Sequence, residues 1–213
     1  MNNGSKGNVL VTSEGTQVRL KPVAQYLITG VETSVKKEFA ERGKSIEPPE
    51  YEVVTIAGTV EHHTHDETTL EDPSDPKKTE ENKIAWANYK SNVDSYNIEY
   101  NARLSKLCIY FGVEYDKEDY KNGSWSSEQK FFGIDIPDKE PDRLIHYIST
   151  VILKTPSDMF ETIMRVINVS MDGAVGEESI NAAMSSFRDQ VRSAGKEAMV
   201  VERIATKEGE VVA

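Results

Sequence analysis

Large apolar and aromatic side chains recur between residues 80 and 111 at steps of three and four: Trp86, Tyr89, Val93, Tyr96, Tyr100, Leu104, Leu107 and Phe111. This spacing paints one stripe along one side of a helix. At ~1.5 Å per residue the segment makes a rod of roughly 48 Å, and Gly112 behind it is a natural left-handed stop. Such a rod either protrudes from its domain or breaks. The poor helix formers between Asn92 and Ser95 mark where it would bend.

Upstream the pattern is different. Val9, Leu10 and Val11, a Ser13–Thr16 turn, and the alternating Gln17-Val18-Arg19-Leu20-Lys21 predict a β-hairpin. Pro22 closes it, and Val23, Tyr26, Leu27 and Val31 predict a short helix that frays at Gly30. The β-branched run Tyr51–Ile56 before Gly58 predicts a third strand. Downstream, Asp116–Gln129 is polar and read as loops, with Trp125 as an anchor, and Gly133–Pro137 is an extended link. Pro141-Asp142 opens a helix running to Lys154. Thr155-Pro156-Ser157-Asp158 is a strong start for another, with a hydroxyl at the N-cap, proline at the first position and an acid at the third. Asp172-Gly173 ends it, and a last helix over 177–194 stops before Gly195. Met159, Met164, Met171 and Met184 read as core fillers.

These elements give an α+β fold that is mainly α. A β-rich N-terminal part over 1–60 precedes an acidic, histidine-containing linker over 61–79. A helical domain over 80–195 and a mobile tail over 196–213 follow. The linker assignment rests on Pro73, Pro76, many acids and a single large apolar residue, Leu70. No internal repeat is apparent.

Acids outnumber bases by 36 to 25 among 213 residues, a net charge of −11. Gripping phosphates needs clustered Lys and Arg, so nucleic acid is not expected as a partner. No apolar run approaches the ~20 residues of a membrane helix, and the polar start lacks the core of a signal peptide. The lone Cys108 has no partner for an internal disulfide and falls in a helical apolar pattern, which fits packing in a reducing compartment.

Candidate chemistry is sparse. His62, His63, His65 and Asp66 are dense enough to hold a metal ion, and a metal-dependent hydrolase built on them is one alternative function. Their spacing is not the i, i+4 pair of a zinc helix, so a solvated loop is the preferred reading. Paired acids such as Glu80-Glu81 and Glu177-Glu178 sit in first helical turns, where they offset the helix dipole. No nucleophile elbow, P-loop or dinucleotide fingerprint occurs, so neither an enzyme nor a cofactor is expected. Trp86, Tyr89, Val93, Tyr96 and Tyr100 are the candidate partner-binding residues, with core burial as the competing role.

The order of blocks carries one resemblance. Val18-Arg19-Leu20-Lys21-Pro22-Val23, Pro48-Pro49-Glu50-Tyr51-Glu52-Val53, Ala85-Trp86-Ala87-Asn88-Tyr89, His146-Tyr147-Ile148-Ser149-Thr150 and Thr155-Pro156-Ser157-Asp158 together resemble bacteriophage tail-module proteins of the tail assembly chaperone kind. The resemblance implies a non-enzymatic assembly protein in the host bacterial cytoplasm. It would bind another tail protein, such as the tape-measure protein, through apolar helix faces, and it would be free to oligomerise. A structural component of the virion, in the tail or head–tail region, is the alternative it leaves open.

Overall fold

The computed structural model describes residues 8–171 and 180–186. The fold is α+β and mainly α, 60% helical, with two small antiparallel two-stranded sheets and one long helix. In chain order it comprises β1 (Val9–Val11), β2 (Gln17–Arg19), α1 (Gln25–Glu41), β3 (Glu50–Val54), β4 (Val60–Thr64), α2 (Pro76–Gly112), α3 (Lys117–Asn122), α4 (Trp125–Phe131), α5 (Asp142–Tyr147), a π-helical turn (Ile148–Leu153) and α6 (Pro156–Ser170). Residues 180–186 are also helical. By contacts the chain groups into two units, Met1–Gln25 with Lys106–Ala213, and Tyr26–Ser105. None of the described helices is long and apolar enough to cross a membrane.

In the first unit, β1 and β2 form the predicted hairpin, with Leu10 opposite Val18. Strand alternation turns both inward, to 3% and 2% exposure. The turn is Thr12-Ser13-Glu14-Gly15-Thr16, closed by Thr12 N–H to the Thr16 carbonyl (2.9 Å) and Gly15 N–H to the Thr12 carbonyl (2.9 Å). Gly15 has φ 82°, as a three-residue hairpin loop requires. On its other side β2 meets the chain leaving α2, since Glu114 N–H donates to the Arg19 carbonyl and Lys21 N–H to that of Gly112 (both 2.9 Å).

Asp158 fastens this hairpin to α6. Its carboxylate, 5% exposed, accepts from Ser13 N–H (2.9 Å), Ser13 Oγ (2.7 Å) and Thr155 Oγ1 (2.7 Å). Thr155 in turn caps α6 by accepting the Asp158 N–H, with Pro156 at the first position, as the sequence predicted. Beside them Lys154 Nζ pairs with Glu14 at 2.5 Å. The predicted helix over Pro141–Lys154 is present as α5 continued by the π-helical turn, and Lys154, at φ 60°, ends it.

Several expectations are corrected. The Asp116–Gln129 segment is not loop but holds α3 and α4, because the Asp116 carboxylate caps α3 through the Glu118 and Asp119 N–H groups and Trp125 is buried. Gly112 ends α2, yet not as a left-handed stop. Its role is close approach: a β-carbon there would lie 2.4 Å from Val166 Cγ1. Of the last predicted helix, 180–186 is described and buries Ile180 and Met184. The rest of 177–194, the Asp172-Gly173 stop, Gly195, the tail over 196–213 and residues 1–7 lie outside the described residues.

In the second unit, α1 runs 17 residues, straight through Gly30 rather than fraying there. One glycine costs a helix about 1 kcal/mol, less than the row of Val35 and Phe39, 0% and 1% exposed, recovers by burial. Gly43, at φ 69°, closes the helix instead, with Lys44 N–H reaching the Phe39 carbonyl (2.9 Å) and Gly43 N–H that of Ala40 (3.0 Å). The third strand is β3, and it pairs with β4, which occupies the first residues of the expected linker. Val60-Glu61-His62-His63-Thr64 carries no strand signal of its own because it has no apolar face to bury. It is held by backbone pairing across Thr55-Ile56-Ala57-Gly58-Thr59 instead.

Helix α2 is unbroken from Pro76 to Gly112, with no interruption at Asn92–Ser95. Asp75 caps it, accepting from Lys77 and Lys78 N–H (3.0 and 3.1 Å). The poor helix formers satisfy themselves without breaking it: Ser95 Oγ bonds back to the Ser91 carbonyl (2.9 Å), and the Asn92 amide donates to the Ser45 carbonyl (3.0 Å).

Two stability outcomes follow for the first unit. Gly112→Ala forces a methyl against fully buried Val166 and should lower unfolding stability by about 1–3 kcal/mol in a urea titration. Asp158→Ala leaves the Ser13 and Thr155 donors without their acceptor and should cost about 2–4 kcal/mol in the same titration.

Candidate functional site

The candidate partner-binding residues all lie on the part of α2 that belongs to the second unit. Trp86, Tyr89, Val93, Tyr96 and Tyr100 are each half-buried. The Trp86 and Tyr89 rings lie 5.0 Å apart, Tyr96 stacks on Tyr100 at 6.0 Å, and Tyr96 meets Phe39 of α1 edge-on at 5.7 Å. Burial beside Phe39 pushes the Tyr96 phenol above its ordinary pKa. Among the described residues the buried Trp86 indole N–H meets no hydrogen-bond acceptor of good geometry, while the nearby Glu67 carboxylate, paired with Lys90 at 3.0 Å, has its pKa lowered chiefly by Lys90 and also by Trp86.

The pairing of α1 with α2 is electrostatic as well as aromatic. Arg103 grips Glu38 with both guanidinium nitrogens (2.7 and 2.6 Å) and Glu99 at 2.5 Å. Arg42 adds Glu99 at 3.1 Å and Glu38 at 3.3 Å. A bidentate guanidinium–carboxylate pair within such a network is the surface arrangement with the best geometry for a net contribution. The Arg103 hydrogen bonds, helped by Ser34, hold the Glu38 carboxyl down at about 2, and Glu38 in return raises the Arg103 pKa.

The histidine cluster does not assemble. His62 and His63 are successive residues of β4, so they face opposite sides of the hairpin: His62 lies 4.0 Å from Glu52, and His63 lies 3.4 Å from Glu61. His65 is 5% exposed, its ring 4.5 Å from that of Tyr51 and its Nδ1 3.0 Å from the Thr69 carbonyl. The Asp66 carboxylate is occupied by the Thr68 and Thr69 N–H groups and the Thr68 hydroxyl, which lower its pKa. Among the described residues no three His, Cys, Asp or Glu side chains are placed to hold a metal ion.

Cys108 is 0% exposed, and burial raises its thiol to about 12. Deprotonation near neutral pH is thereby suppressed, and with it nucleophilic use. The other His, His146, bonds Gln129 Oε1 through Nε2 at 2.6 Å.

The sequence reading passed over the most exposed aromatic pair. Phe131 and Phe132, at the end of α4, are 84% and 76% exposed, with Ile134 at 45% behind Gly133. Consecutive aromatics cannot share one helix face, which was the available signal.

No family model matches this chain, nor does any curated protein or any solved structure.

The Glu38 clasp sets a pH signature. A carboxyl held at about 2 when folded and nearer 4.5 when free contributes stability above pH 4.5 that is lost as the pH falls toward 2. Glu38→Gln should therefore melt below the wild type at pH 7, and the gap between the two melting temperatures should close as the pH is lowered through that window.

Proposed function

We propose that this chain is a non-enzymatic assembly protein, of the phage tail-assembly kind that its block order resembles, which binds another tail protein through apolar side chains held at its surface. The observation that carries this reading is the Phe131–Phe132 pair: two phenylalanines 84% and 76% exposed, on a helix whose Trp125 is 6% exposed. Water-exposed aromatics grouped in this way are characteristic of surfaces that a second protein covers. The half-buried Trp86 and Tyr89 rings of α2 offer a second contact of the same chemistry, in keeping with a helix-face mode of binding. The net charge of −11 favours solubility and disfavours nucleic acid as the partner.

Co-expression with the tail proteins of the same phage, the tape-measure protein first among them, tests the reading. Phe131→Ser with Phe132→Ser should weaken retention of the partner by about tenfold or more while leaving the far-ultraviolet helical signal unchanged. Retention unaffected by this pair and by Trp86→Ser with Tyr89→Ser would overturn it.

A further inference from the structure

We infer that the outer edge of β4 pairs antiparallel with the same edge of a second copy of this chain, joining two β3–β4 hairpins into one four-stranded sheet with His62 on the two-fold axis. The two hairpins of the fold are built on one five-residue plan, Thr12-Ser13-Glu14-Gly15-Thr16 and Thr55-Ile56-Ala57-Gly58-Thr59. Each has a closing bond between its threonine backbones (2.9 and 2.8 Å) and a left-handed glycine, φ 82° and 79°. They differ in what they meet. The first is capped at its tip by Asp158 and along β2 by the chain after α2, whereas the second has both edges unpaired among the described residues. Its strands are exposed at every position but Tyr51, and Ile56 at its tip is fully exposed. A lone two-stranded hairpin is marginal in water, so this one is short of partners.

The edge itself selects a second copy. Thr55 N–H bonds to Thr59 and His65 N–H to Pro49 (2.7 Å), so the alternation of an antiparallel ladder aims the backbone groups of Glu61 and His63 at β3 and those of Val60, His62 and Thr64 outward. Two β4 strands centred on His62 would exchange hydrogen bonds through those outward groups. Glu61 would then oppose His63 of the other copy in the closely spaced, non-hydrogen-bonded position, twice. Carboxylate and imidazole pair there as acceptor and donor whichever charge the ring carries. The β3 edge lacks this complementarity, because the same construction sets Glu52 against Glu52. A two-fold contact of this kind also closes on itself and leaves no growing edge at β4.

Sedimentation velocity on the full chain, with cross-linking, tests the pairing. His62→Pro removes an outward N–H that the hairpin itself does not use, so it should convert dimer to monomer with the fold intact. His63→Glu should weaken the dimer about tenfold or more, and adding Glu61→His should restore it, because the swapped charges again face one another. His62→Cys should give a disulfide-linked dimer on mild oxidation, since directly opposite residues fall within disulfide range, while Thr64→Cys should not. A wild-type chain that stays monomeric, a dimer indifferent to His62→Pro, or a charge swap that fails to rescue would each overturn the inference.

Discussion

A buried carboxylate has to be surrounded by donors, and in the first unit that requirement falls on Asp158. Three hydrogen bonds from Ser13 and Thr155 converge on it at the start of α6, where the helix dipole also favours negative charge. Fixing the Ser13 turn at that point fixes β1 and β2, which places Leu10 and Val18 in the core and lays the outer side of β2 along residues 112–114. Gly112 can then approach Val166 of the same α6 closely enough that no β-carbon fits. One acid thus couples the N-terminal hairpin, the end of α2 and α6. The left-handed backbone at Lys154, next to the Lys154–Glu14 pair, is held within the same group of contacts.

The second hairpin shows what the same turn does when no such acceptor exists. Ile56-Ala57 replaces Ser13-Glu14, so the tip offers methyl groups rather than donors. The second unit gains its internal cohesion elsewhere, from Val35 and Phe39 under α1 and from the arginines that bind Glu38 and Glu99. The hairpin is therefore free to serve contacts outside its own chain. A pattern of five residues carries the backbone geometry, and the two residues inside it decide whether the turn is anchored or presented.

Local chemistry was legible in the sequence and long-range chemistry was not. The Thr155-Pro156-Ser157-Asp158 start is readable because capping uses neighbours within three residues. The α2 stripe is readable because its period is regular over many turns. By contrast β4 has no alternation to read, since neither of its faces is buried; it exists because a turn pairs it with β3. Gly30 looked like a helix end because its cost is local, while the burial of Val35 and Phe39 that outweighs it is tertiary. Gly112 has the local look of a helix stop, but its reason is Val166, far away in sequence. At the candidate site, the spacing identified which α2 side chains lie together, but not that Tyr96 meets Phe39. The adjacency of Phe131 and Phe132 shows that they cannot share one helix face, but not how exposed they are, because that depends on what fails to cover them.

Magnitudes link the two proposed surfaces. Covering both Phe131 and Phe132 would remove roughly 300 Å² of apolar surface from water, about 7 kcal/mol at ~25 cal/mol per Å². Bringing two proteins together costs about 4–15 kcal/mol in lost freedom, so one such patch supports a weak, readily reversed contact. An assembly factor benefits from that reversibility but still has to find its partner. Two copies joined through β4 would present the patch twice, and the second contact would then form at the high effective concentration set by the first. On the proposed function, weak individual contacts made in pairs would give retention during assembly and release afterwards, without a deep binding site on either copy.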